Sequence, residues 1–156
     1  MCLLSGMVVI GWESATCTTS ETKRSVELFA ILMNPPLKRE VVVTATTSDG
    51  TASKYNRSLI IAWSSQYISA VAGSDYNAVS VELTFVPGQT RLSVIVGIIK
   101  DDACEQPNEI FTGVLINTLS DPLLMVTPNV TTVTFDDELE PECRKYLLIW
   151  LAVYHR

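Results

Sequence analysis

The sequence holds a single histidine, His155, close to its C-terminal end, and only 8% aromatic residues. No serine or cysteine therefore has a setting that would activate it as a nucleophile, and no imidazole cluster is present to ligate zinc or copper. Long apolar runs are missing too. Residues 7–12 and 146–153 are the most apolar stretches near the two ends, and both fall far short of the ~20 residues that span a bilayer. The N-terminus lacks the basic start and cleavage pattern of a signal peptide. Cysteine is sparse: Cys2, Cys17, Cys104 and Cys143 are scattered without metal-ligand spacing. They are too few for a disulfide scaffold at this length, read as free thiols, and leave the redox compartment open. Positive charge is in deficit, with 11 Lys and Arg against 17 Asp and Glu, a formal charge of −6. That balance argues against nucleic acid as partner and fits a cation better.

What is present is strand signal. At 156 residues and 47% hydrophobic, the chain fits one domain and can bury a core. Val26, Leu28, Ala30 and Leu32 alternate with Glu27 and Phe29, and Asn34-Pro35-Pro36 stops the run, because proline cannot donate to a sheet ladder. Residues 41–47 are largely β-branched and end at Ser48-Asp49-Gly50, a turn signal. Residues 80–85 and 91–99 flank Pro87-Gly88 and read as a hairpin. Residues 111–116 and 130–135 supply two more strands, separated by Ser120-Asp121-Pro122, and a first strand lies within 7–18. About seven short strands predict an all-β antiparallel sandwich over residues 1–138, with 139–156 as a tail outside it. The apolar-rich stretch 53–70, with Leu59 to Trp63 at its centre, stands where a short loop is expected.

Antiparallel succession sends alternate loops to alternate poles. The first loop (Glu21), the third (Asp49, Asp75), the fifth (Asp101, Asp102, Glu105, Glu109) and the exit of the last strand (Asp136, Asp137, Glu138, Glu140) share one pole. The loops of the other pole carry only Asp121. Gathering carboxylates without a cation is unfavourable, since like charges within ~4–6 Å repel and raise one another's pKa. Hard oxygen donors without imidazole or thiolate select Ca²⁺ over zinc or copper, and suit it better than Mg²⁺, which keeps its waters.

These residues resemble the Calx-beta family, whose members look like immunoglobulin-type sandwiches found in sodium-calcium exchangers and extracellular adhesion proteins. The resemblance runs over residues 19–138 and rests on Thr19-Ser20-Glu21, Thr47-Ser48-Asp49-Gly50-Thr51-Ala52, Gly73-Ser74-Asp75-Tyr76, Phe85-Val86-Pro87-Gly88, Ile99-Lys100-Asp101-Asp102, Glu109-Ile110-Phe111 and Phe135-Asp136-Asp137. It implies calcium ligation by Glu21, Asp75, Asp101, Asp102, Glu105, Asp136 and Asp137. It also implies a module that binds and transmits within a larger adhesion or membrane-associated protein, with neighbouring domains or adhesion partners, and does not turn over a substrate. Lys100 stands where well-charged members carry another aspartate, and its ammonium group repels a cation. The interval from Glu105 to Glu109 is one residue longer than in the family. Ala52 joined to Val71 would give a continuous family-like loop, so 53–70 reads as an insertion, retained through an error in defining the gene.

Three other readings compete. A calcium-independent spacer would keep the fold, and Lys100 favours it. A cytoplasmic regulatory domain of the exchanger kind competes with the extracellular reading, to which the sequons at Asn56 and Asn129 add weak support. A carboxylate pair such as Asp101 and Glu105 is also the equipment of a glycoside hydrolase, but a catalytic pair needs a pocket around it, and the expectation is that the chain is not an enzyme.

Overall fold

The alternating pattern folds into ten strands, seen in a computed structural model that describes residues 6–50, 68–100 and 109–135. In chain order they are β1 (Val8–Trp12), β2 (Thr16–Thr19), β3 (Ser25–Leu32), β4 (Val41–Asp49), β5 (Ile68–Ser69), β6 (Ser80–Phe85), β7 (Arg91–Gly97), β8 (Glu109–Ile116), β9 (Leu124–Val126) and β10 (Val130–Phe135). One sheet has the order β7-β3-β1-β9 and the other β2-β10-β8-β4-β6, with β5 set against the start of β8. The two inner faces form one core. Val26, Leu28, Ala30, Leu32, Val94 and Val96 of the first sheet are buried with Val43, Ala45, Phe85, Phe111, Leu115, Val133 and Phe135 of the second. Each large side chain so covered contributes roughly 1.5–3 kcal/mol by leaving water. Trp12 ties the layers together, its indole N–H donating across the core to the Gly113 carbonyl at 3.0 Å. Glycine there keeps the space open: a Cβ would lie 3.0 Å from Leu28 Cδ1 and from Thr131 Cγ2.

All seven expected strands are present, and the architecture is the expected sandwich. The expected first strand divides in two. β1 pairs antiparallel with β3, whereas β2 pairs parallel with β10 in the other sheet. The change of sheet falls at residues 13–15, where the Ser14 hydroxyl donates to the Thr16 carbonyl at 2.6 Å. β9 lies within the loop before β10 and pairs parallel with β1; three residues are too few to display a period.

Residues 80–99 do not form the expected hairpin. Pro87-Gly88 does turn the chain, with Gly88 at φ 95° and the Gln89 N–H donating to the Val86 carbonyl at 2.9 Å. Yet β6 pairs with β4, and β7 pairs with β3 in the opposite sheet. Turn residues dictate reversal and are silent about partners. The stripe of Leu83 and Phe85 and that of Val94 and Val96 face each other across the core, which places their strands in different layers. The segment expected to be an insertion, residues 53–70, overlaps the sheet at its C-terminal end. Ile68 and Ser69 pair with β8, and Ala70 is fully buried with its N–H donating to the Ile110 carbonyl. Those three residues belong to the sandwich, while 53–67 and the tail 139–156 lie outside the described residues.

Candidate functional site

Strand direction brings the acidic segments to one end of the sandwich. β2 and β10 run side by side in register, Thr19 beside Phe135, so Glu21 and the position before Asp136 leave the sheet together. Asp49, at the end of β4, lies opposite Phe111 near the start of β8. β7 ends at the same level as β3 begins, Gly97 opposite Ser25. Residues 70–79 then cross this pole from one sheet to the other. The Ala70 N–H binds the Ile110 carbonyl of β8, the Asn77 N–H binds Gly97 of β7 at 2.9 Å, and the Thr47 N–H of β4 binds the Val79 carbonyl at 2.9 Å.

Asp75 sits in the middle of that crossing and is 5% exposed. Its Oδ2 accepts the Val71 N–H at 2.5 Å, and its carbonyl accepts the Ile99 N–H at 2.9 Å, so the aspartate is held against the strand end that leads into Lys100. Gly73, at φ 88°, makes the tight reversal before it, a conformation glycine adopts without a Cβ penalty. Asp49 Oδ1 accepts two bonds, from the Tyr76 hydroxyl at 2.7 Å and from the Ala72 N–H at 2.9 Å. Tyr76 is fully buried. Burial, reinforced by the Asp49 carboxylate, pushes its phenol well above the ordinary tyrosine range.

Beneath these groups lies a column of aromatic rings. Tyr76 stacks on Phe111 with centroids 4.3 Å apart, and Phe111 meets Phe135 at 5.8 Å. Three elements that end at the acidic pole are thereby fixed to one another by side chains that bury large areas in defined geometry. Glu109, at the start of β8, faces inward on the same stripe as Phe111 and is 5% exposed.

Of the expected ligands, Glu21 and Asp75 stand at this pole. Asp101, Asp102, Glu105, Asp136 and Asp137 lie outside the described residues, but the described positions that flank them, Lys100, Glu109 and Phe135, are at the same end. Among the described residues no three His, Cys, Asp or Glu side chains gather closely enough to hold a metal ion. The described donors at the pole, from Glu21, Asp49, Asp75 and Glu109, are all oxygen, which suits a hard cation. Tyr76 and Asp49 as a structural pair were not read from the sequence; the signal available was the tyrosine that follows Asp75.

The opposite pole is nearly neutral. Asp121 is ion-paired with Arg39 at 2.6 Å and accepts the Leu123 N–H at 2.9 Å, and these partners lower its pKa. Glu40 stands there as well, just ahead of β4. Among the described residues no helix is long and apolar enough to cross a membrane.

Comparison with known proteins agrees with this architecture. The crystal structure of the apo-form Calx CBD1 domain superposes with a TM-score of 0.64 at 22% identity, over 83% of this chain and 96% of that one. CBD12 from CALX1.2 gives a TM-score of 0.62 at 23% identity, over 81% of this chain and 44% of that longer one. The Calx CBD2 domain gives 0.59 at 12% identity, over 89% and 93%. No curated protein matches the sequence. The Calx-beta domain family matches in two overlapping segments, residues 6–58 and 53–139. With nearly the whole of the sandwich covered by that match, the chain belongs to the Calx-beta domain family.

Proposed function

We propose that this chain is a calcium-binding module of a larger membrane-associated or adhesion protein, and that it is not an enzyme. The carrying observation is the convergence of four strand ends, each bordering acidic residues, on a pole braced by Tyr76, Phe111 and Phe135. Glu21, Asp75, Asp101, Asp102, Glu105, Asp136 and Asp137 would hold the ion. Ca²⁺ supplies a positive charge that offsets their mutual repulsion and accepts several oxygens in flexible geometry. The chain's own part is to present these oxygens from a stiff base, so that occupancy orders the pole and the junction to a following domain. Likeness of fold to the calcium binding domain CBD12 of CALX1.1 supports the reading. Asn129 of the second sequon is exposed, in keeping with an extracellular setting.

Thermal unfolding in Ca²⁺ and in EDTA tests this. A ligand that binds only the native state at 100 times its Kd stabilises it by about 2.7 kcal/mol. The rise should be lost in Asp101→Ala/Asp102→Ala. Absence of any shift at millimolar calcium would favour the second reading, a calcium-independent spacer. Lys100 supports that reading, because it sets an ammonium group at the mouth of the acidic loop.

A further inference from the structure

Thr19 closes β2 and is 3% exposed, yet its buried Oγ1 has no hydrogen-bond partner among the described residues. A hydroxyl withdrawn from water without a partner destabilises a fold, so such a group calls for an explanation. Its place supplies one. β2 and β10 are parallel and in register, so the Thr19 side chain stands beside the ring of Phe135 on the inner face, at the last rung before both strands leave the sheet. Strand side chains lean along the strand direction, which here is toward the acidic pole. Continuing the pairing of β10 with β8 by one rung sets Phe135 beside Glu109, so the final inner row carries Thr19 and Glu109 on either side of the aromatic floor. Glu21 follows two residues after Thr19.

We propose that the Thr19 hydroxyl is a neutral oxygen donor to a divalent cation at this pole, completing from below a site to which Glu21 and Asp75 bring charged oxygens. The proposal rests on the calcium reading and deepens it. A cation needs neutral as well as charged oxygens when it takes six to eight ligands, and the lone pairs of a buried hydroxyl are already stripped of water. The ion would satisfy a hydroxyl that the described residues leave without a partner.

The test is a pair of substitutions, Thr19→Val, which keeps the shape and removes the oxygen, and Thr19→Ser, which keeps the oxygen. Each is followed by calcium titration in a calorimeter and by melting in EDTA. Thr19→Val should melt no lower than the unsubstituted protein in EDTA, since it removes an unpartnered polar atom, and should bind Ca²⁺ about tenfold more weakly, the factor expected for one lost oxygen contact. Thr19→Ser should bind as the unsubstituted protein does. Equal calcium affinity in Thr19→Val would overturn the proposal while leaving the calcium reading intact, and so would a lower melting point in EDTA, which would show the hydroxyl already satisfied without the ion. If the unsubstituted protein takes up no calcium, both readings fall together.

Discussion

Replacing Tyr76 by Phe removes one oxygen from the base of the acidic pole and has an effect whose size depends on pH in a calculable way. At neutral pH the loss is the hydrogen bond from the buried phenol to Asp49 Oδ1. Bonds to charged acceptors are worth about 1.5–3 kcal/mol. Asp49 is exposed and keeps the Ala72 N–H, so the value belongs near the lower end, about 1.5 kcal/mol. Burial, then the Asp49 bond, holds the phenol above its ordinary 10.0 in the folded protein. The unfolded chain therefore releases that proton first, and raising the pH favours unfolding. The contribution is complete below pH 10 and declines above it. By pH 11 the unfolded tyrosine has gained about 1.4 kcal/mol from ionisation that the folded one has not. Urea unfolding of both proteins from pH 7 to pH 11 should show a gap of about 1.5 kcal/mol that narrows almost to nothing at the alkaline end. A gap that stays constant with pH would mean that Tyr76 ionises normally in the fold, and the account of its burial and its bond to Asp49 would be wrong.

Gly113→Ala sets two effects against each other. A stiffer unfolded chain stabilises by about 0.4–1 kcal/mol, but the new methyl meets Leu28 and Thr131 at 3.0 Å and Trp12 at 3.3 Å, and overpacking costs about 1–3 kcal/mol. The variant should be less stable by about 1 kcal/mol in urea, with a shift in tryptophan fluorescence; an unchanged midpoint would show that the sheets give way freely at this point. Excising residues 53–67, while keeping the paired Ile68 and Ser69, should leave the melting point equal or higher, since shortening the connection between two paired strands reduces its closure cost only slightly. A lower melting point would make the segment part of the fold.

The strands of this sandwich were legible because burial on one face writes itself into every second residue, as in Val26, Leu28, Ala30 and Leu32. That Glu21, Asp49, Asp75 and Glu109 share a pole followed from strand parity alone and needed no knowledge of partners. Pairing was less accessible. Pro87-Gly88 reverses the chain equally well within a sheet or between sheets, and only the partners of the two strands, β4 for β6 and β3 for β7, decide. The switch from β1 to β2 was hidden because both halves are β-forming and the break is three polar or small residues long. Tyr76 could be noticed as part of a motif, but that its hydroxyl reaches Asp49 depends on a loop that crosses from one sheet to the other.

The parallel pairing of β2 with β10 bears on how the module carries load. The described chain comes in at the nearly neutral pole, where the Met7 carbonyl accepts the Asn34 side chain, and goes out at the acidic pole after Phe135. Tension applied between those two points pulls β2 and β10 along their lengths in opposite senses. The bonds from Thr16 beside Thr132 to Thr19 beside Phe135 are then sheared together and cannot be peeled one at a time. Rupture requires all of them to fail at once, so the short strand β2 acts as a mechanical clamp, fastened at the same end of the molecule where the acidic residues gather.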